Sequence, residues 1–120
     1  FNLGVFPYFP LNNGLLTGKY NPSGGPVGAR LSYVRQHMVK NADWDQLARY
    51  ARFAEERDIS QVDVAFGWLA AQNPVASVIA GATRVEQVQQ NARALEYQFT
   101  EDDLAELDEI FPAVDKIALF

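Results

Sequence analysis

The chain has 120 residues, 48% hydrophobic and 21% charged, which is the composition of a globular domain with a real core and not of a disordered segment. A formal net charge of −5 and a sequence pI of about 4.7 argue against nucleic acid or an anionic membrane as partner, while leaving room for one local positive pocket. There is no cysteine, which excludes disulfide scaffolds, thiolate metal sites and cysteine nucleophiles.

The chain opens at Phe1 inside an apolar run, as a piece of a longer protein would. No apolar run approaches the roughly 20 residues that span a bilayer, and a cytoplasmic location is expected. Asn2 to Tyr8, "NLGVFPY", is short, apolar and β-rich, the pattern of a strand covered on both faces. "PLNNGLLTGKYNPSGGPVGARLS" is dense in Gly, Pro and Asn and is expected to be a long functional or mobile loop. Tyr33 to Asp43 is irregular or a short helix.

From Asp45 to Arg57, the positions Leu47, Tyr50, Ala51 and Ala54 follow helical spacing. Ser60 with Asp63 forms a capping box that restarts a helix, with Val62, Ala65, Phe66 and Leu69 as its buried stripe and Pro74 beyond its end. "VASVIAGA" reads as a second buried strand. Thr83 with Glu86 suggests a further capped helix carrying Val85, Val88, Ala92 and Leu95. Thr100 with Asp103 opens the last one, with Leu104, Leu107 and Ile110 on one face. Strands alternating with helices mark an α/β class with a parallel sheet. Two buried parallel strands need neighbours, so the chain is expected to be part of a larger sheet or barrel. A small helical domain with a two-stranded ribbon is the other arrangement this order allows.

Both strand ends run into loops suited to an anion. At "AGATRVEQ" a helix start presents unpaired N–H groups and the positive end of the dipole. Gly81 and Ala82 leave the backbone accessible, Thr83 adds a hydroxyl, and Arg84 adds a planar cation able to grip a phosphate. Gln87 and Asn91 lie one turn apart with Gln90 beside them, and their amides suit an adenine edge. An ordinary helix start with surface amides explains the same stretch. After the first strand, Gly14 and Gly18 permit close backbone approach, Lys19 supplies charge, and Asn12 and Asn13 tolerate unusual dihedrals. Taken alone, these residues are better explained as a turn-rich connector. The pair of loops is more telling, because phosphates in (β/α)₈ barrels sit on the loops after the last two strands.

"PYFPLNNGLLTGKY", then "GAR", then "SVIAGATRVEQVQQN" resembles the C-terminal part of the aldo-keto reductases. Members of that family show a Pro-Tyr-Ser-Pro-Leu-x-x-Gly-x-Leu-x-Gly-Lys-Tyr loop and, later, Ile-Pro-Gly-Ala-Thr/Ser-x-x-x-Gln-x-x-x-Asn. Gln61 to Leu69, "QVDVAFGWL", is similar to their Gln-Val-Ala-Leu-Ala-Trp-Leu helix. The likeness spans residues 4 to 112. It implies that residues 1–120 are the C-terminal part of a (β/α)₈ barrel, the last two strands with their helices, incomplete alone and binding NADP(H). Pro10, Leu11 and Asn12 would line the pyrophosphate and ribose, Gly14 would give the turn, and Lys19 and Arg30 would be cationic partners. Gly81, Thr83, Arg84 and Gln87 would surround the phosphate on the adenosine ribose, and Gln90 and Asn91 would meet the adenine.

Three positions depart from the family pattern: Phe9 stands for Ser, Ala80 for Pro and Gln90 for Glu. The family's catalytic Asp, Tyr, Lys and His lie in earlier strands, and no segment here matches them. The lone histidine, His37, has no neighbouring motif, and no metal-ligand spacing is present. The resemblance therefore implies a parent oxidoreductase that reduces a small aldehyde or ketone with NADP(H), and no independent catalysis by this chain. Two other readings stand beside it. One is a cofactor-binding module without turnover, similar to the potassium-channel beta subunits of the same architecture. The other is an inactive truncated piece whose open strand edges make it self-associate.

Overall fold

The structure is a computed structural model that describes residues 2–113; residue 1 and residues 114–120, the ends of the expected unit, lie outside it. Among the described residues, five α-helices accompany a minimal ribbon: α1 (Gln36–Lys40), α2 (Trp44–Glu56), α3 (Gln61–Ala71), α4 (Val85–Arg93) and α5 (Glu101–Ile110).

In the ribbon, Val5 pairs with Val75 and Tyr8 with Ile79, both as isolated parallel bridges. Val5 N donates to Pro74 O at 2.6 Å, Ala76 N to Val5 O at 2.9 Å and Ile79 N to Pro7 O at 3.0 Å. The two extended segments thus lie side by side and run in the same direction. Burial on both faces, however, was a wrong expectation: Leu3 is 73% exposed, and Val5, Phe6, Tyr8 and Ile79 are exposed too. Parallel strands are buried only when further strands and layers cover them, and the described residues supply no third strand. Among those residues the arrangement is helices with a two-stranded ribbon.

The helices carry the core. α2 is capped by Asp43, whose carboxylate accepts from Gln46 N at 2.9 Å. α3 and α5 each begin with a reciprocal capping box, Ser60 with Asp63 and Thr100 with Asp103, as their spacing predicts. Tyr50, Phe53 and Ala54 of α2 pack with Val64 of α3 and with Leu107 and Ile110 of α5. Each large side chain buried here contributes roughly 2 kcal/mol, so this cluster holds the fold far more firmly than two bridges can. Phe53 was missing from the expected stripe, yet it is fully buried. Gly67 matters in the same layer: a Cβ there would lie 2.3 Å from Phe99 Cε2, so the bare backbone of α3 lets the Phe99 ring close against it.

The segment expected as one long loop is instead folded. It contains 3₁₀ turns within Asn12–Thr17, broken by a kink at Asn13 and Gly14, and a 3₁₀ helix at Arg30–Ser32, and Leu15, Tyr20 and Leu31 form a small core with Val39 of α1. Tyr20 Oη accepts from Leu31 N at 3.0 Å, so the buried hydroxyl fixes the return of the chain. Local Gly, Pro and Asn density announces turns but not the long-range packing that ties them together.

α4 differs most from its expected form. Its N-cap is Arg84, in extended conformation (φ −142°, ψ 151°), and no side chain caps it. Thr83 does not accept from the helix; its N–H and hydroxyl both point to Gln87 Oε1, at 2.8 and 3.2 Å. With its hydroxyl committed as a donor, Thr83 leaves the first N–H groups of α4 without a side-chain cap. The apolar stripe is also open, with Val85 67% and Val88 57% exposed and Leu95 and Ala92 exposed as well. An amphipathic pattern states that a face wants cover, and among the described residues nothing covers this one.

Candidate functional site

The parallel register decides where the two loops go. Because Tyr8 pairs with Ile79 and both segments run the same way, the loop after Tyr8 and the loop after Ile79 leave the ribbon at the same end. The first turn of α3 stands between their continuations. Leu11 and Val78, one from each segment, pack against a cluster made of Val62 and Phe66 of α3 and Ala94 after α4. The Gln61 side chain sits so close to Gly18 that a Cβ on that glycine would be 2.7 Å from Gln61 Nε2. From the other side, Gln90 Nε2 donates to Ser60 Oγ at 3.5 Å.

In the first loop, Asn12, Asn13 and Gly14 are three successive residues with positive φ (48°, 59° and 97°). Such a run turns the backbone tightly, and it favours Asn and Gly because other side chains are strained there. Lys19 folds back over it: a Cβ built on Gly14 would lie 3.5 Å from Lys19 Nζ. The Arg30 guanidinium lies 5.7 Å from the centroid of the Phe9 ring, itself 5.0 Å from that of Tyr8. Arg35 Nη1 donates to Asn13 Oδ1 at 3.5 Å. Neither Arg35 nor the left-handed Phe9 (φ 57°) was expected here. Arg35 is 22 residues from Asn13, and no local pattern reports such a pairing.

In the second loop, Gly81 faces open space and Arg84 is exposed at the N-cap of α4, with no ion pair among the described residues. Gln87 is turned back onto Thr83. The amides expected to share an adenine edge diverge: Gln90 borders a hollow with Ser60, Asp63 and Tyr97, whereas Asn91 borders another with Val75, Ala76 and Leu95. A third cavity of about 450 Å³ lies between the ribbon and α2, α3 and α5, almost wholly apolar. Of the expected residues, Pro10 and Asn12 line it, and the cations stand outside it.

The groups gathered at this end are of kinds that suit an anion. They are cations on accessible loops, amides beside them, and a helix start whose N–H groups lack a side-chain cap. No group of three or more metal-ligating side chains occurs among the described residues. The strongest polar cluster lies elsewhere, where Arg57 Nε donates to Asp103 Oδ1 and Nη2 to Glu106 Oε2, each at 2.7 Å. Burial raises the Tyr97 hydroxyl above its ordinary range, and the neighbouring Asp103 charge adds to this. Burial likewise raises the Tyr50 hydroxyl, which donates to Gln61 O. Both tyrosines are packing groups that stay protonated.

Known proteins give this geometry a lineage. The family model described as "Aldo/keto reductase family" matches residues 1–112. L-glyceraldehyde 3-phosphate reductase of Escherichia coli (strain K12) is 34% identical over 115 residues, covering 89% of this chain and 33% of that protein. NADH-specific methylglyoxal reductase of the same strain is 30% identical over 112 residues, covering 91% and 34%. A putative voltage-gated potassium channel subunit beta of Schizosaccharomyces pombe is 30% identical over 119 residues, covering 92% and 34%. The chain spans about a third of the length of these curated relatives. No described helix is long and apolar enough to cross a membrane. With a match over nearly its whole length, the chain belongs to the aldo/keto reductase family.

Proposed function

We propose that this chain is the C-terminal part of a (β/α)₈ barrel, its last two strands with their helices, and holds NADP(H) for an oxidoreductase acting on a small aldehyde or ketone. The observation that carries this reading is the parallel register of Tyr8 and Ile79, which sends both cationic loops out at one end. Pro10, Leu11, Asn12 and Gly14 form the turn against the pyrophosphate and ribose, with Lys19 and Arg30 supplying charge. Gly81, Thr83, Arg84 and Gln87 take the phosphate on the adenosine ribose, and Gln90 and Asn91 flank the adenine. Bound NADPH supplies the hydride that reduces the carbonyl; the residues of this chain bind and orient it. No segment of the chain matches the family's catalytic Asp, Tyr, Lys and His, and in this reading the isolated chain does not turn over substrate.

Arg84 makes the choice of NADPH over NADH testable. A charge-assisted hydrogen bond is worth about 1.5–3 kcal/mol, or about 10- to 150-fold in affinity. In the full-length protein, Arg84→Ala should weaken NADPH binding by about that factor while leaving NADH binding unchanged, as read by fluorescence titration. Equal loss for both cofactors, or no loss, removes Arg84 from the phosphate site.

The channel-subunit relatives favour a second reading, a module of the same fold that binds the cofactor without turnover. An upstream sequence lacking the family's Asp, Tyr, Lys and His would select it. In either case the isolated chain should self-associate, because Leu3, Phe6, Ile79, Val88 and Leu95 leave apolar surface in the open. Light scattering should show a mass that rises with concentration; a constant 13.4 kDa would count against it.

A further inference from the structure

We propose that Asn13 is a deamidation site which the folded loop holds unreactive, and that its reaction lowers the positive character of that loop. Asn13–Gly14 is the sole Asn–Gly pair in the sequence. Glycine puts no side chain in the way of attack by its own nitrogen, which makes this dipeptide the most reactive setting for an asparagine. The step needs no oxidant or cofactor. The Gly14 nitrogen gives its proton to hydroxide and attacks Asn13 Cγ. The new C–N bond closes a succinimide, the Cγ–Nδ2 bond breaks, and the nitrogen takes a proton from water and leaves as ammonia. Water then opens the ring at either carbonyl, giving aspartate or isoaspartate and a net exchange of NH₂ for OH.

Every group in that step is engaged in the folded loop. Gly14 N, the nucleophile, donates to Leu11 O at 2.8 Å. Asn13 Nδ2, the leaving group, donates to Met38 Sδ at 3.8 Å, and Oδ1 accepts from Arg35 Nη1 at 3.5 Å. The backbone of Asn13 is held at φ 59°, ψ 20°, and ψ must turn before Gly14 N can reach Cγ. The reaction therefore requires the loop to open.

The product changes what the loop can hold. A carboxylate at position 13 faces the Arg35 guanidinium, and Lys19 stands over the neighbouring Gly14, so the new charge competes with a bound anion for the cations of this loop. Isoaspartate adds a backbone atom to a run of three left-handed residues and breaks its geometry. This consequence rests on the loop being the cofactor site proposed above; the modification itself does not.

Mass mapping of the peptide containing Asn13 during incubation at mildly alkaline pH tests both parts. Each of the three hydrogen bonds should slow reaction about fivefold, so the folded chain should react roughly a hundredfold more slowly than the chain in urea. Arg35→Ala and Met38→Ala should each speed reaction in the folded chain by about fivefold and leave the rate in urea unchanged. Far-UV circular dichroism shows whether each variant remains folded. Equal rates folded and unfolded, no reaction in urea, or no acceleration in either folded variant would overturn the gating. Asn13→Asp in the full-length protein should weaken NADPH binding. If it binds NADPH normally, the loss of positive character is overturned; Arg84→Ala decides separately whether the cofactor reading itself has failed.

Discussion

Replacing Asp103 with alanine should cost the chain about 2–3 kcal/mol, because it removes a charge-assisted bond and half of the reciprocal cap of α5 while Arg57 keeps Glu106. The Asp103 side chain is 9% exposed and that of Arg57 17%, so water replaces little of what is removed. Asp103 Oδ1 accepts from Arg57 Nε at 2.7 Å, while Oδ2 accepts from Thr100 N at 3.0 Å and Tyr97 Oη at 3.2 Å. One carboxylate thus caps α5, fixes the segment before it and ties both to the end of α2. Asp103→Asn keeps the shape but loses the charge-assisted bond, so its loss should be smaller. Urea unfolding followed by circular dichroism ranks the variants; a loss below about 1 kcal/mol for Asp103→Ala would mean the pair behaves as an exposed one.

The same residue sets a pH dependence. Burial works against the Asp103 charge, but the hydrogen bonds from Thr100 and Arg57 outweigh it and hold the carboxyl below its usual range. A carboxylate whose pKa is lower folded than unfolded stabilises the fold above the unfolded value, about 3.9 for aspartate. That contribution disappears as pH falls below the folded value. Stability should therefore drop more steeply below about pH 4 in the wild-type chain than in Asp103→Asn, which has nothing to protonate there.

The helix starts show how far local pattern reaches. Ser60 with Asp63 and Thr100 with Asp103 were legible because a capping box needs only four residues and the structure satisfies both reciprocally. Thr83 with Glu86 has the same spacing and fails, because Gln87, one residue further on, takes both donors of Thr83. The stripe of α4 was legible as a face and not as a contact, since nothing among the described residues covers it. The first loop shows the opposite error: its Gly and Pro density hid a small core joining Leu15, Leu31 and Val39. The two anion-suited loops could be read one at a time, whereas their common exit depends on a bridge between residues 71 positions apart, Tyr8 and Ile79. Arg57 with Asp103, separated by 46 residues, carries no signature in either neighbourhood.

Truncating Phe53 to alanine should cost about 3–5 kcal/mol, the range for emptying a large aromatic site in a packed core. Phe53 is fully buried, and its ring lies parallel to that of Phe99, with centroids 6.4 Å apart. The Arg57 guanidinium carbon is 3.6 Å from the centroid of the Phe53 ring, and Arg57 Nη1 donates to Phe53 O at 3.1 Å. The ring therefore supports the very cation that holds Asp103 and Glu106, and losses at the two sites must couple. In a double-mutant cycle, Phe53→Ala and Asp103→Ala together should cost less than the sum of the two alone, by about 1 kcal/mol or more. Phe53→Leu keeps most of the apolar volume and should retain much of the stability while losing the cation–π contact. Additive losses in the cycle would show that the ring acts through packing alone and that Arg57 is positioned without it.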